Sequence, residues 1–327
     1  MENIGRKIPD RLNVVYGDVT LGVKGEAEGK AFHYIFSYAA GGPASFCIDG
    51  REWLYRAPRP VFWRAVTDND RGCGFALASG IWLAADMFIR CTGISVAVDG
   101  KEIPLPCAPA NNIYTGTETA HSVQIVYTYE TITNPSARVT VAYRTEASGE
   151  ITVDARYFGQ KGLPELPVFG MRFVMPTCAE RFVYEGLSGE TYPDRKAGGV
   201  EGIHEVAGLP VTPYLVPQDC GMHVDSHWLE VWRSTGLDNS RRGKEAKALR
   251  FEMDKLAFSC LPYTAEELEN ATHQEELPPP RRTVVCIYGA VRGVGGIDSW
   301  GTDVEEAYHV DAGEDICCSF RIVPCAS

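Results

Sequence analysis

No run of about 18 consecutive apolar residues occurs anywhere in this 327-residue chain, so nothing in it reads as a membrane-spanning helix. The first residues, MENIGRKIPDRLNVVYG, contain no apolar signal core, which predicts a cytoplasmic protein. Positive charge is in short supply: 31 Lys and Arg stand against 43 Asp and Glu, a net charge of −12. Such a chain repels phosphate backbones and anionic bilayers, which excludes nucleic acid and membrane as main partners. Cysteine is present in an odd number, 11, but no C-x-x-C pair occurs and no ligand cluster has zinc spacing. Disulfides are not expected without an export signal, so residues such as Cys260 in AFSCLPY and Cys286 in VVCIYG read as small buried hydrophobes. The neighbours Cys317 and Cys318 would face opposite sides of a strand and cannot chelate together. Equally absent are a Gly-x-Ser-x-Gly elbow, a P-loop and H-E-x-x-H.

Helical periodicity is also scarce. SGIWLAADMFIRC (79–91) predicts one short helix, and TAEELENATH (264–273) another, with Thr264 as cap and Glu267 completing a capping box. What the chain does have is strand pattern. RLNVVYG (11–17), FHYIFSY (32–38), SVQIVYTYETI (122–132), ARVTVAYRT (137–145), EITVDARYF (150–158), RRTVVCIYG (281–289) and DICCSFRIVP (315–324) are β-rich runs bounded by Gly, Pro, Asn or Asp. Asp49-Gly50 and Asp99-Gly100 sit between such runs and read as two-residue hairpin turns, whose geometry needs positive φ at both positions. With 45% hydrophobic and 23% charged residues, the composition is that of a globular protein. Together these features predict an all-β fold, a large antiparallel β-sandwich with one or two short helices, formed by residues 1–327 as a single domain. The basic stretch NSRRGKEAK (239–247) and the ELPPP stretch (276–280) read as loops between strands.

Four segments gather the residues that carry chemistry. FWRAVTDNDRGCG (62–74) opens like a calcium loop at Asp68-Asn69-Asp70, but its twelfth position is Ser79, not a bidentate carboxylate; the other reading is an ordered loop whose carboxylates accept backbone N–H bonds. In YEGLSGETYPDRKAGG (184–199), Glu190 and Asp194 can be read as a glycosidase carboxylate pair or as a structural loop. His223 and His227, four apart in LPVTPYLVPQDCGMHVDSHWLEVW (209–232), would need a third ligand from elsewhere to hold zinc. In YGAVRGVGGIDSWGTDV (288–304), the glycines are followed by Asp298-Ser299-Trp300 instead of a helix, which removes the mechanism for phosphate binding. A glycine-rich loop presenting Trp300 suits the apolar C–H face of a sugar, or else anchors the loop to the core.

Taken together, FWRAVTDNDRG, SGETYPDR, VTPYLVPQDCG and GGIDSWG resemble the C-terminal portion of the large bacterial β-galactosidases of glycoside hydrolase family 2. The resemblance is closer to the separately encoded small subunits of heterodimeric β-galactosidases, through LYRAP (54–58), LPVFG (166–170), GLSGETYPDR (186–195), GLPVTPYLVPQDCGMH (208–223), LPYTAEELENATH (261–273) and the GIDSWG block, and it runs from VVYGD (14–18) to the last strand. It implies a galactose-mutarotase-like supersandwich. It also implies that the catalytic glutamates of a retaining hydrolase, and the Mg²⁺ and Na⁺ of the family, belong to a large-subunit partner. This chain would then carry no catalytic residue and no metal, and the pair Glu190 and Asp194 loses its appeal. What carries over is Trp300 as a stacking platform for a β-galactoside such as lactose. Asp298 and Ser299 flank it, and Gly221 matches the start of a loop near the active site, although the following MHVDSHW departs from the single-chain pattern. Two other readings use the same sandwich: an aldose-epimerase-like enzyme, with His223 or His227 moving the anomeric proton, and a carbohydrate-binding β-sandwich without activity.

Overall fold

The computed structural model describes residues 11–27, 29–237 and 245–324; the N-terminal decapeptide, residues 239–244 of the basic stretch and Cys325 lie outside the described residues. Strict alternation drives the architecture. In the strand Ser122–Glu130 every second residue, from Val123 to Tyr129, is buried, and the paired strand Arg138–Glu146 alternates in step. Each such strand therefore has one face that must be covered. Among the described residues, 19 strands form two antiparallel sheets, one of six strands and one of thirteen, that share one hydrophobic cluster. Phe36 of the smaller sheet meets Tyr143 of the larger at 6.0 Å between ring centroids. The Tyr34 hydroxyl crosses to the Gly149 carbonyl at 2.7 Å, and that of Tyr127 to the Ser37 carbonyl at 3.2 Å.

Both Asp-Gly pairs are tight turns, with φ of 49° and 69° at Asp49 and Gly50 and of 50° and 76° at Asp99 and Gly100. The larger sheet forks along its longest strand, Lys247–Leu261. Leu249–Met253 pair with Ile316–Pro324, and Ala257–Leu261 pair with Thr283–Val291, with Lys255 at a positive φ of 52° between the two halves. The second branch continues through Val168–Met175, buried at all eight positions, to Arg56–Val61. Val291 pairs with Val168 and Val61 with Gly170, so the chain leaves both flanking strands at the same end of the branch. That end carries the site.

The predicted helix at 264–273 is present as Ala265–Asn270 with the Thr264–Glu267 capping box. The one at 79–91 is not. That segment forms only a three-residue 3₁₀ turn, Gly80–Trp82, followed by turns, because Ala84 takes a left-handed φ of 62° while Trp82 and Ala85 sink into the core. Two short helices precede it instead. Asp68–Gly72 is capped by Thr67 through a Thr67–Asp70 capping box, and Phe75–Ala78 follows. No described helix is long and apolar enough to cross a membrane. The ten described cysteines are free, with Cys317 exposed and Cys318 buried, on opposite faces of their strand as expected.

Candidate functional site

All four sequence segments converge on the end of the forked branch. At its floor lies Asp70, 1% exposed, which accepts from Arg64 at 2.6 and 3.2 Å, from the Thr67 amide at 2.8 Å and from Arg292 at 3.3 Å. Both guanidiniums are equally buried. Arg292 also donates to Glu165 at 2.8 Å and to Asp303, while Arg64 reaches the Gly293 carbonyl at 3.1 Å. Two buried cations around one carboxylate are tolerable because Glu165, Asp303 and backbone carbonyls take up most of their remaining N–H groups, the Arg64 Nε being left without a partner among the described residues.

This floor fixes the ends of the Trp300 loop. The Asp194 carboxylate accepts from the Val294 amide at 2.9 Å and the Gly295 amide at 2.8 Å. Asn69 donates to the Val294 carbonyl at 2.9 Å, and Arg195 to that of Gly295. On the far side, Gly301, at φ 83°, lies so close to the Gly72 carbonyl that a Cβ would stand 2.6 Å from it. Only glycine fits there. Between these anchors Asp298 folds back on the loop, accepting from the Trp300 amide at 2.9 Å and from the Thr302 hydroxyl at 2.5 Å. The Thr302 hydroxyl, with the Trp300 and Thr302 amides, holds the Asp298 carboxyl below the usual carboxylate range. Ser299 is exposed, and Trp300 is 91% exposed at the tip. An indole held out to solvent on a tied-down loop is not anchoring that loop to the core.

The third segment closes the back of the floor. Gln218 accepts the Asp68 amide at 2.7 Å, and Tyr192 donates to Asp219 at 2.9 Å. Burial raises Asp219 to about 7, against the opposing pull of Arg64 and the Tyr192 hydrogen bond. Gly221, at φ 69°, leads directly into the twelve-residue strand Met222–Arg233, so MHVDSHW is strand rather than loop in this structure.

The remaining candidates are engaged elsewhere. Glu190 accepts from Thr212 at 2.9 Å while Asp194 serves the loop amides, so the two carboxylates have separate structural tasks. Asp68 pairs with Arg71 at 3.2 Å on the surface while Asp70 is buried between the two arginines, and the described residues of the calcium-like stretch join no group of three or more acidic, histidine or cysteine ligands. His223 is buried, stacked on Phe258 at 4.7 Å and beside Tyr184 at 4.6 Å, and burial lowers it to about 4. That is an aromatic-core histidine, enclosed where an epimerase would need it at a surface. His227 lies 3.5 Å from Glu201. The floor residues Arg64, Glu165, Gln218, Asp219 and Arg292 escaped the sequence reading. The Thr67-x-x-Asp70 spacing carried a capping-box signal, whereas nothing local marked Arg292 as its partner.

A family profile described as beta galactosidase small chain matches residues 28–322. The chain is 62% identical over 314 residues to the β-galactosidase small subunit of Latilactobacillus sakei, covering 95% of this chain and 98% of that one. It is 32% identical over 311 residues to the β-galactosidase BgaC of Bifidobacterium adolescentis, covering 94% of this chain but 27% of that longer relative. Among solved structures, a putative aldose 1-epimerase from Escherichia coli aligns over 95% of this chain and 98% of its own at 12% identity and a TM-score of 0.39, a likeness too distant to argue from.

Proposed function

The chain belongs to the β-galactosidase small-chain family, and from that premise we propose that it completes the active site of a two-chain β-galactosidase by presenting Trp300 to the galactoside. The observation that carries this reading is the 91% exposed indole on a loop tied down at both ends. Such a group can lay its π-face against the C–H face of a sugar without first ordering the loop. Catalytic glutamates acting through a retaining mechanism, with Mg²⁺ and Na⁺, would reside on the large subunit. In this chain the carboxylates nearest the loop are committed to arginine, tyrosine or backbone N–H groups. Substrates would be terminal β-D-galactosides such as lactose.

The test uses both subunits. The purified chain alone should not cleave a chromogenic galactoside, and adding the large subunit should bring activity. Trp300→Leu should raise KM roughly three- to tenfold, the worth of one aromatic contact, with assembly intact. Turnover by the lone chain, or an unchanged KM, would contradict the proposal.

A further inference from the structure

Exposed large apolar side chains are unevenly spread over this chain. Leu77, Ile81, Leu83, Met87 and Phe88 all fall on one short segment, and Leu77 is 91% exposed. The segment is well anchored from beneath. The Arg292 guanidinium lies over the Phe75 ring at 3.9 Å, buried Trp82 donates to the Pro164 carbonyl at 3.0 Å, and Asp86 pairs with Arg172 at 2.5 Å. Its outward side chains are therefore held outward. Single exposed hydrophobes are ordinary, but a row of them edged by polar groups marks an interaction surface, and Met and Phe are enriched at interface cores.

Both ends of the row are informative. One end adjoins the Trp300 loop, through the contact of Gly72 with Gly301. The other, at Met87, borders a cavity of about 690 Å³ lined by five arginines and three carboxylates, in a chain whose net charge is −12. Arg172 is neutralised there by Asp86 and Glu266, at 2.5 and 3.0 Å. Arg56 is instead held below the usual arginine range by desolvation and by the charge of Arg172. The cavity is short of negative charge.

We propose that the Leu77–Phe88 row is the face on which the β-galactosidase large subunit docks, an acidic element of that subunit entering the arginine-lined cavity at its end. This rests on the small-subunit reading above and adds where assembly occurs. Continuity with the Trp300 loop selects this occupant, because in that reading the loop enters a pocket of the large subunit. The longer relative BgaC points the same way: the matched region is 27% of it, so the remaining chain is at hand to cover this face. The positive excess in the cavity supplies charge complementarity.

Binding of the large subunit to four forms of this chain provides the test: wild type, Leu77→Glu/Phe88→Glu, Arg56→Glu/Arg281→Glu, and the control Val19→Glu/Ile113→Glu, whose residues are exposed apolar positions beside the smaller sheet. The row variant should bind at least about tenfold more weakly, the arginine variant similarly and with less dependence on salt, and the control within about twofold of wild type. Amide exchange over residues 75–90 of the wild-type chain should slow on assembly. A wild-type complex that the row variant forms equally well, or that leaves those amides unprotected, overturns the docking face alone. Wild-type affinity in the arginine variant overturns the acidic element. If the wild-type chain binds no large subunit, the small-subunit reading fails and this proposal with it.

Discussion

The space between the two sheets and the floor beneath Trp300 are held by opposite means. Between the sheets the contacts are apolar and aromatic, with tyrosine hydroxyls reaching across to carbonyls of the opposite sheet. Beneath Trp300, two guanidiniums and one carboxylate are buried as deeply as any core leucine. The difference follows from what each region has to fix. Strands acquire register by burying alternate side chains, whereas the loop at 293–304 turns in only Val294 and Val304 near its ends and points Ile297 and Trp300 outward, so packing cannot hold its middle. Charge-assisted hydrogen bonds to its backbone do that instead. They are directional, and they position a loop without consuming its side chains. The cost is fragility, since a buried ion network is strongly destabilised by losing one member.

The largest effect should therefore come from Asp70→Ala, which leaves Arg64 and Arg292 facing each other at 1% exposure. A loss of about 3–5 kcal/mol in urea unfolding is expected. Trp300→Ala, removing a side chain that touches solvent, should leave the unfolding midpoint where it is. If Asp70→Ala cost less than about 1 kcal/mol, the floor would owe its order to packing after all, and the contrast between the two regions would dissolve.

A smaller effect distinguishes the regions by pH. Asp219 faces Arg64, Tyr192, Glu190 and Asp70, and burial lifts it from an ordinary carboxylate value to about 7. The folded state thus binds this proton more tightly than the unfolded state does. The stability from that proton is complete below about pH 4 and is lost as pH rises through about 7. Asp219→Asn should flatten the fall in stability across this window relative to wild type. In the aromatic interior His223, lowered by burial from 6.5 to about 4, gives the opposite slope, stability being lost as pH falls through that range. It is common to both proteins, so a variant curve parallel to that of wild type would mean that Asp219 is ionised throughout.

The contrast also explains what could be read in advance. Val123, Ile125, Tyr127 and Tyr129 announce their strand by local alternation, and the Asp-Gly turns announce their geometry through one dipeptide each. The Thr264–Glu267 cap is equally local. The floor is not: Arg292 and Asp70 lie 222 positions apart, and Asp194 meets Gly295 across 101. Pattern marked 62–74, 184–199 and 288–304 as unusual, and only the forked sheet shows that they are one site. The same limit misread 79–91. Its Trp82 and Ala85 are buried as a helix would require, but through turns that leave Met87 and Phe88 exposed.

The smallest effects test the interior one hydroxyl at a time. Tyr129 donates to the Gly41 carbonyl of the opposite sheet, whereas the Tyr143 hydroxyl is buried with no hydrogen-bond partner among the described residues. Both rings are fully enclosed and both face Tyr127, so the phenylalanine variants differ chiefly in what the lost oxygen was doing. Tyr129→Phe deletes a made bond and strands a buried carbonyl, for a loss of about 1 kcal/mol or more. Tyr143→Phe removes a desolvated group that receives nothing in return, and should be neutral or stabilising by up to about 1 kcal/mol. Thermal unfolding of the two proteins side by side measures the difference. Equal destabilisation would show that Tyr143 has a partner, such as a buried water, and that polar bridges between the sheets extend to Tyr143 as well.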